Sequence, residues 1–163
     1  MRTTLVLLAT LLLTGCVSAP SALQFQNRPA MPAEPEKALV YFYRESNNLG
    51  CALDLTVADS QSQIGTLQNG SYLAVYVSPG PHKFVPAMTF VTSKNTTDYA
   101  ADFEAGQIYY LSAHVFQVPG IEFMTYDGSG LKIDAVSAPM ALKQMANLVV
   151  AGEDNGTLRS CLL

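Results

Sequence analysis

The chain has 163 residues, of which 49% are hydrophobic and 13% charged, about half the roughly 25% charged content of an ordinary soluble domain. A disordered chain is excluded, because disorder needs low hydrophobicity and high net charge. So is a polytopic membrane protein: the longest apolar stretch, Leu5 to Leu13 with Thr10 inside it, falls short of the roughly 20 residues that span a bilayer. Nine basic against thirteen acidic residues, a net charge of -4, argue against nucleic acid, where affinity rests on neutralising phosphates.

Met1 to Thr4 form a short, singly positive start and Leu5 to Leu13 an apolar stretch of the length found in secretory signals, so residues 1–15 are an address and not fold. Leu13, Thr14, Gly15 and Cys16 follow: an aliphatic residue, two small ones and a cysteine. This resembles the lipobox of bacterial lipoproteins. The resemblance implies cleavage before Cys16, a diacylglyceryl group on its sulfur and acylation of the new amino group. One acyl chain holds a protein to a bilayer only reversibly, whereas two or more anchor it stably. Val17, where inner-membrane lipoproteins of that kind carry Asp, implies an outer-membrane protein facing the periplasm. The alternative is an ordinary secretory signal with a chance cysteine.

Residues 16–37 carry Pro20, Pro29, Pro32 and Pro35 among small and polar residues and read as a semi-extended tether. Residues 38–163 have the length of one domain. Loss of Arg2 leaves eight basic and thirteen acidic residues, or -5, which disfavours polybasic attachment to anionic lipid. With Cys16 lipidated, Cys51 and Cys161 remain as an even pair in an oxidising compartment, either a disulfide or two buried thiols. His82 and His114 have no metal-site spacing relative to either cysteine, so no metal is expected. No cofactor is expected beyond the covalent lipid.

Period-two alternation predicts strands over Ala38 to Tyr43, Leu53 to Val57, Ile64 to Leu67, Ser71 to Val77, His82 to Met88, Asp98 to Glu104 and Gln107 to Gln117. Asn69 and Gly70 predict a two-residue type I′ hairpin, and Pro79 and Gly80 a type II turn. Ile121 to Tyr126 and Leu131 to Val136 are expected to form a last hairpin around Asp127 to Gly130. The period then changes. Ser137 as N-cap, Pro139 near the first helical position and the stripe Leu142, Met145, Ala146 and Val149 predict a helix closed by Gly152. Roughly nine strands and one helix predict a mainly β fold: an antiparallel β-sandwich, immunoglobulin-like, with one C-terminal helix. A small open barrel is the second choice.

Ile64, Gly65, Leu67, Asn69, Gly70 and Tyr72, then Pro79, Gly80 and His82, then Ala105, Gly106, Tyr109 and Tyr110 form a recognisable pattern, with an opening strand from Val40 to Arg44. It resembles bacterial lipoproteins carrying the domain of unknown function 2846, over about Ala38 to Leu111. The resemblance implies an envelope lipoprotein with a β-sandwich domain and brings no activity.

Catalytic candidates are weak. Ser129 lies between two glycines, but no G-x-S-x-G elbow is present. His82 follows a Pro-Gly-Pro turn. His114 shares an alternation face with Tyr110, Ser112 and Phe116, and Asp102 with Glu104 reads as a solvated face rather than an acid–base pair. No catalytic residue is therefore expected. Tyr41, Tyr43, Tyr72, Tyr76 and Tyr109 would form a binding ridge if their strands register suitably, whereas otherwise they are core. The absence of Trp argues against a sugar platform. The expectation is a lipid-anchored, non-enzymatic interaction module whose partner is an envelope protein or cell-wall material. A small periplasmic hydrolase and an accessory subunit of an envelope assembly are the alternatives.

Overall fold

A computed structural model describes residues 22–88, 93–122, 125, 127–153 and 161, so Cys16 and the signal segment lie outside the described residues. A 3-10 turn at Phe25–Asn27 comes first. The strands among the described residues are β1 Ala38–Arg44, β2 Leu55–Asp59, β3 Ser62–Leu67, β4 Ser71–Val77, β5 Gly80–Met88, β6 Asn95–Thr97, β7 Tyr99–Phe103, β8 Ile108–Gln117 and β9 Ser129–Ala135. Helix α1, Ala138–Met145, and the short β10, Val149–Val150, close the order.

Two sheets form a sandwich, one of six strands in the order β10-β4-β1-β8-β9-β6 and one of four in the order β3-β2-β5-β7. The smaller sheet is antiparallel throughout. The larger one mixes directions: β1 is antiparallel to β4 but parallel to β8, and β10 with β4 and β6 with β9 are parallel as well. A chain that keeps crossing between two layers produces such pairs. Only β2–β3 and β8–β9 are strand pairs adjacent in sequence.

That habit corrects two local expectations. The Asn69–Gly70 turn does not close a hairpin, because β3 and β4 belong to different sheets. Gly70 has φ of 75°, but Asn69 does not share the positive φ that a type I′ turn requires. Its carboxamide instead accepts the Asn47 N–H at 2.9 Å. The turn at Pro79 and Gly80 likewise carries the chain from one sheet to the other. The last hairpin is β8 with β9, Leu111 opposite Ala135 through Gln117 opposite Ser129. Ile121, Glu122 and Thr125 lie outside any strand, and the rest of the 121–126 segment is outside the described residues.

Between the sheets, Val40, Phe42, Leu55, Val57, Leu67, Phe84, Phe103, Leu111 and Ile133 make the main core. Strand β1 is buried along its whole length, because its other face is covered too. There Leu39, Tyr41, Tyr43 and Tyr72 pack against Ala141 and Met145 of α1 and Leu148 beyond it. The helix ends at Met145, short of Gly152, and Val149 enters β10 instead. Leu142, placed by periodicity on the buried stripe, is 45% exposed.

Candidate functional site

The predicted tyrosine ridge exists in part, on the outer face of the larger sheet. Register places Tyr43 opposite Tyr72 and Tyr41 opposite Tyr110, so odd positions of β1 and even positions of β4 and β8 share that face. Tyr41 and Tyr110 stack with ring centres 5.4 Å apart. Tyr76 lies on the same face and its hydroxyl donates to the Pro32 carbonyl at 2.6 Å. Tyr109 does not belong to the ridge. It is one residue out of phase, packs against Phe103 inside the sandwich at 4.6 Å, and its hydroxyl accepts the Glu104 N–H.

The ridge is not an open surface. Tyr41, Tyr43 and Tyr72 are 4%, 0% and 5% exposed. Burial raises the pKa of Tyr41, Tyr43, Tyr72 and Tyr110 above the ordinary phenol value. Helix α1 covers one end, where the Tyr43 hydroxyl donates to Gln144 Oε1 at 2.6 Å and Gln144 donates in turn to Glu45. The segment expected to be a tether covers the other. Phe25 sets its ring edge-on against Tyr41 and Tyr72 at 5.7 and 5.1 Å. Its N–H donates to the Leu148 carbonyl at 2.7 Å, the Gln26 N–H donates to Ala146, and Gln24 bridges to Val149. Arg28 donates through Nε to the Leu23 carbonyl and pairs with Glu153. Proline content read this stretch as a spacer, whereas its few apolar residues, Phe25 and Met31, decide that it packs.

Between this segment and the sheet lies a cavity of about 440 Å³, within the roughly 300–1,000 Å³ range of ligand pockets. Tyr41, Tyr72 and Ala74 form its floor, Phe25, Pro29, Ala30 and Met31 one wall, and Leu142 with Val150 the other. Arg28 is the one charged residue of the lining and Gln26 the one other polar side chain besides the tyrosines. The arrangement suits an apolar ligand whose orientation is fixed by a single cation.

The histidines do different work. His82 Nδ1 meets Asp59 Oδ2 at 2.5 Å and Nε2 meets the Ser78 carbonyl at 2.8 Å. With an acceptor on each nitrogen, the ring is held as a double donor and offers no lone pair to a substrate. Burial pulls its pKa down, but the hydrogen bonds to Asp59 and Ser78 and the Asp59 charge outweigh it and the value is raised. His114 lies on the outer face beside a small cavity of about 120 Å³ that Ser112, Glu45 and Arg44 also line. Its Nε2 is 3.7 Å from Asp134. Asp102 and Glu104 are exposed. Ser129 is buried, with its carbonyl accepting from Ser93 and Asn95. The adjacent Gly130 lies under the Phe116 ring, where a Cβ would come within 2.0 Å of Cζ, so the Gly-Ser-Gly run is packing and not a nucleophile elbow.

Cys51 and Cys161 form a disulfide with Cα atoms 5.9 Å apart. The loop that carries Cys51 is organised by a residue that sequence reasoning used only as a strand end. Arg44 is 2% exposed, and its guanidinium donates to the carbonyls of Leu53 at 2.5 Å and Gly50 at 2.8 Å, with Leu67 at 3.5 Å. Burial lowers its pKa. A basic residue closing an otherwise apolar strand was the available signal.

Residues 34–128 match the family model described as a protein of unknown function, DUF2846. The chain belongs to that family. No curated protein matches it. The DUF2846 match contains the cavity floor at Tyr41, Tyr72 and Ala74 but neither wall, since Phe25 to Met31 precede it and Leu142 and Val150 follow it.

Proposed function

We propose that this DUF2846 protein is a lipid-anchored lipoprotein of the cell envelope, attached through Cys16 to the outer membrane and facing the periplasm, whose domain is a non-enzymatic binding module. The anchor is supported by the apolar stretch and the Leu13-Thr14-Gly15-Cys16 pattern. The binding role is carried by one observation, the apolar cavity of about 440 Å³ between the tyrosine face and the segment that leads to Cys16. Its lining has a single cation and no nucleophile paired with a base, which fits binding better than chemistry.

Metabolic labelling with a fatty acid tests the anchor: label on the wild type and none on Cys16→Ser is expected, and label persisting on Cys16→Ser refutes it. A photo-crosslinking residue at Leu142, on the cavity wall, tests the module. Adducts there, lost when the cavity is filled, support it, and adducts unaffected by filling count against it.

The hydrolase alternative has its own observation, the small cavity shared by Ser112, His114 and Glu45. It requires the Ser112 hydroxyl to come within hydrogen-bond reach of His114. Ester hydrolysis abolished by Ser112→Ala would favour it over the binding module.

A further inference from the structure

The cavity has features that select among apolar occupants. Of its floor strands, β1 is hydrogen-bonded on both sides, whereas β10 pairs with β4 only at Ser71 and Tyr72. Its polar groups are too few and too one-sided for a glycan, which needs donors and acceptors along its length. The lining does provide a continuous apolar surface of Phe25, Met31, Tyr41, Tyr72, Leu142 and Val150. Arg28 stands in that lining with its side chain 26% exposed and already holds an oxyanion, the Glu153 carboxylate. Its Nη2 makes that contact while Nε is held by the Leu23 carbonyl, so a phosphate that takes the place of Glu153 meets a charged donor already positioned.

Position supplies the source. Phe25 is nine residues beyond Cys16, and an extended chain spans at most about 3.3–3.6 Å per residue, so the cavity wall stays within about 30 Å of an anchor at Cys16. Leu23, whose carbonyl accepts from Arg28, and Leu142 on the cavity wall are 47% and 45% exposed. Exposed leucines flanking an apolar cavity on a tethered domain suit contact with a bilayer surface.

We propose that the cavity holds one hydrocarbon chain of a phospholipid from the membrane to which the protein is anchored, with Arg28 meeting the phosphate at its mouth. The source rests on the anchored reading above, while the binding itself does not. The lipid on Cys16 is the competing source of the same hydrocarbon, but a diacylglyceryl thioether carries no phosphate for Arg28.

The test uses the full mature chain with Cys16→Ser, a phosphatidylglycerol bearing a fluorescent acyl chain, and a phosphate-free methyl ester of the same fluorescent acid. Saturable binding of one phosphatidylglycerol per chain is expected. Arg28→Gln should weaken phosphatidylglycerol by about tenfold and leave the ester unchanged. Ala74→Trp, which fills the floor, should abolish both. Leu142→Glu, at an exposed helix position that folding tolerates, provides the same readout if Ala74→Trp does not fold, and should weaken both. Native mass spectrometry of the lipidated wild type released from membranes should find one phospholipid bound. Absence of saturable binding, or equal binding by wild type and Leu142→Glu, overturns the proposal. Binding by Cys16→Ser but never by the lipidated form also overturns it, by assigning the cavity to the protein's own chain. Failure of the anchored reading is scored separately, by fatty-acid labelling of the wild type.

Discussion

At the scale of residues, His82 and Arg44 are structural clamps. The pKa of His82 is raised in the folded protein, so the stability that its pairing with Asp59 and Ser78 contributes is complete below the unfolded value of about 6.5 and is lost as pH rises through the folded value. Denaturant midpoints of the wild type should therefore fall across that window, and those of His82→Gln should not. Parallel profiles would show that the pair contributes nothing. Arg44 makes the complementary case. Removing its guanidinium leaves the Gly50 and Leu53 carbonyls without their donor, and each buried group left unsatisfied costs about 1–3 kcal/mol. Arg44→Met should lower unfolding free energy by about 3 kcal/mol in a urea titration. Neither role was readable in advance, because the pairing of β2 with β5 brings Asp59 to His82 and the path of the loop after β1 turns the Gly50 and Leu53 carbonyls toward Arg44, and local pattern encodes neither.

At the scale of elements, most of the longer strands were legible and their partners were not. Alternation marked β4 as Ser71 to Val77, as observed, because each strand has one face toward a core. The turn residues were also real turns, but Asn69 and Gly70 report only that the chain reverses, not which layer it enters. The N-terminal segment is the largest departure. Its prolines forbid regular structure without forbidding packing, and Phe25 is enough to seat it against Tyr41 and Tyr72. Phe25→Ala should cost about 2 kcal/mol, less than the 3–5 of a fully buried phenylalanine, and should expose residues 22–33 to limited proteolysis while the sandwich survives. Cleavage no faster than in the wild type would mean that the segment is held by its backbone bonds to Ala146 and Leu148 alone.

At the scale of the whole molecule, three layers are assembled from pieces that lie at opposite ends of the chain. The middle layer is the larger sheet, and the N-terminal segment and α1 cover its outer face together. The disulfide ties Cys161 back to the Cys51 loop across a separation of 110 residues, for which chain entropy assigns about 4.7 kcal/mol. Both cysteines should resist alkylation until reduced, and the double variant Cys51→Ser, Cys161→Ser should lose about 2–5 kcal/mol of stability. Rapid alkylation without reductant would contradict the bond.

The family match over residues 34–128 falls on the sandwich and its tyrosine floor, and the elements that enclose the cavity lie outside it. Patterning and local chemistry by themselves determined the mainly β class, the late helix, the even cysteine pair and the aromatic content of one sheet face, because each follows from side-chain period or residue type. Only the tertiary structure decided that Tyr109 points inward, that Tyr41 and Tyr72 are covered and that a cavity lies above them. Burial of a face depends on what packs against it, and here α1 meets that face at Tyr43 across 101 residues of chain while the N-terminal segment is tied to the far end at Leu148, which no local signal encodes.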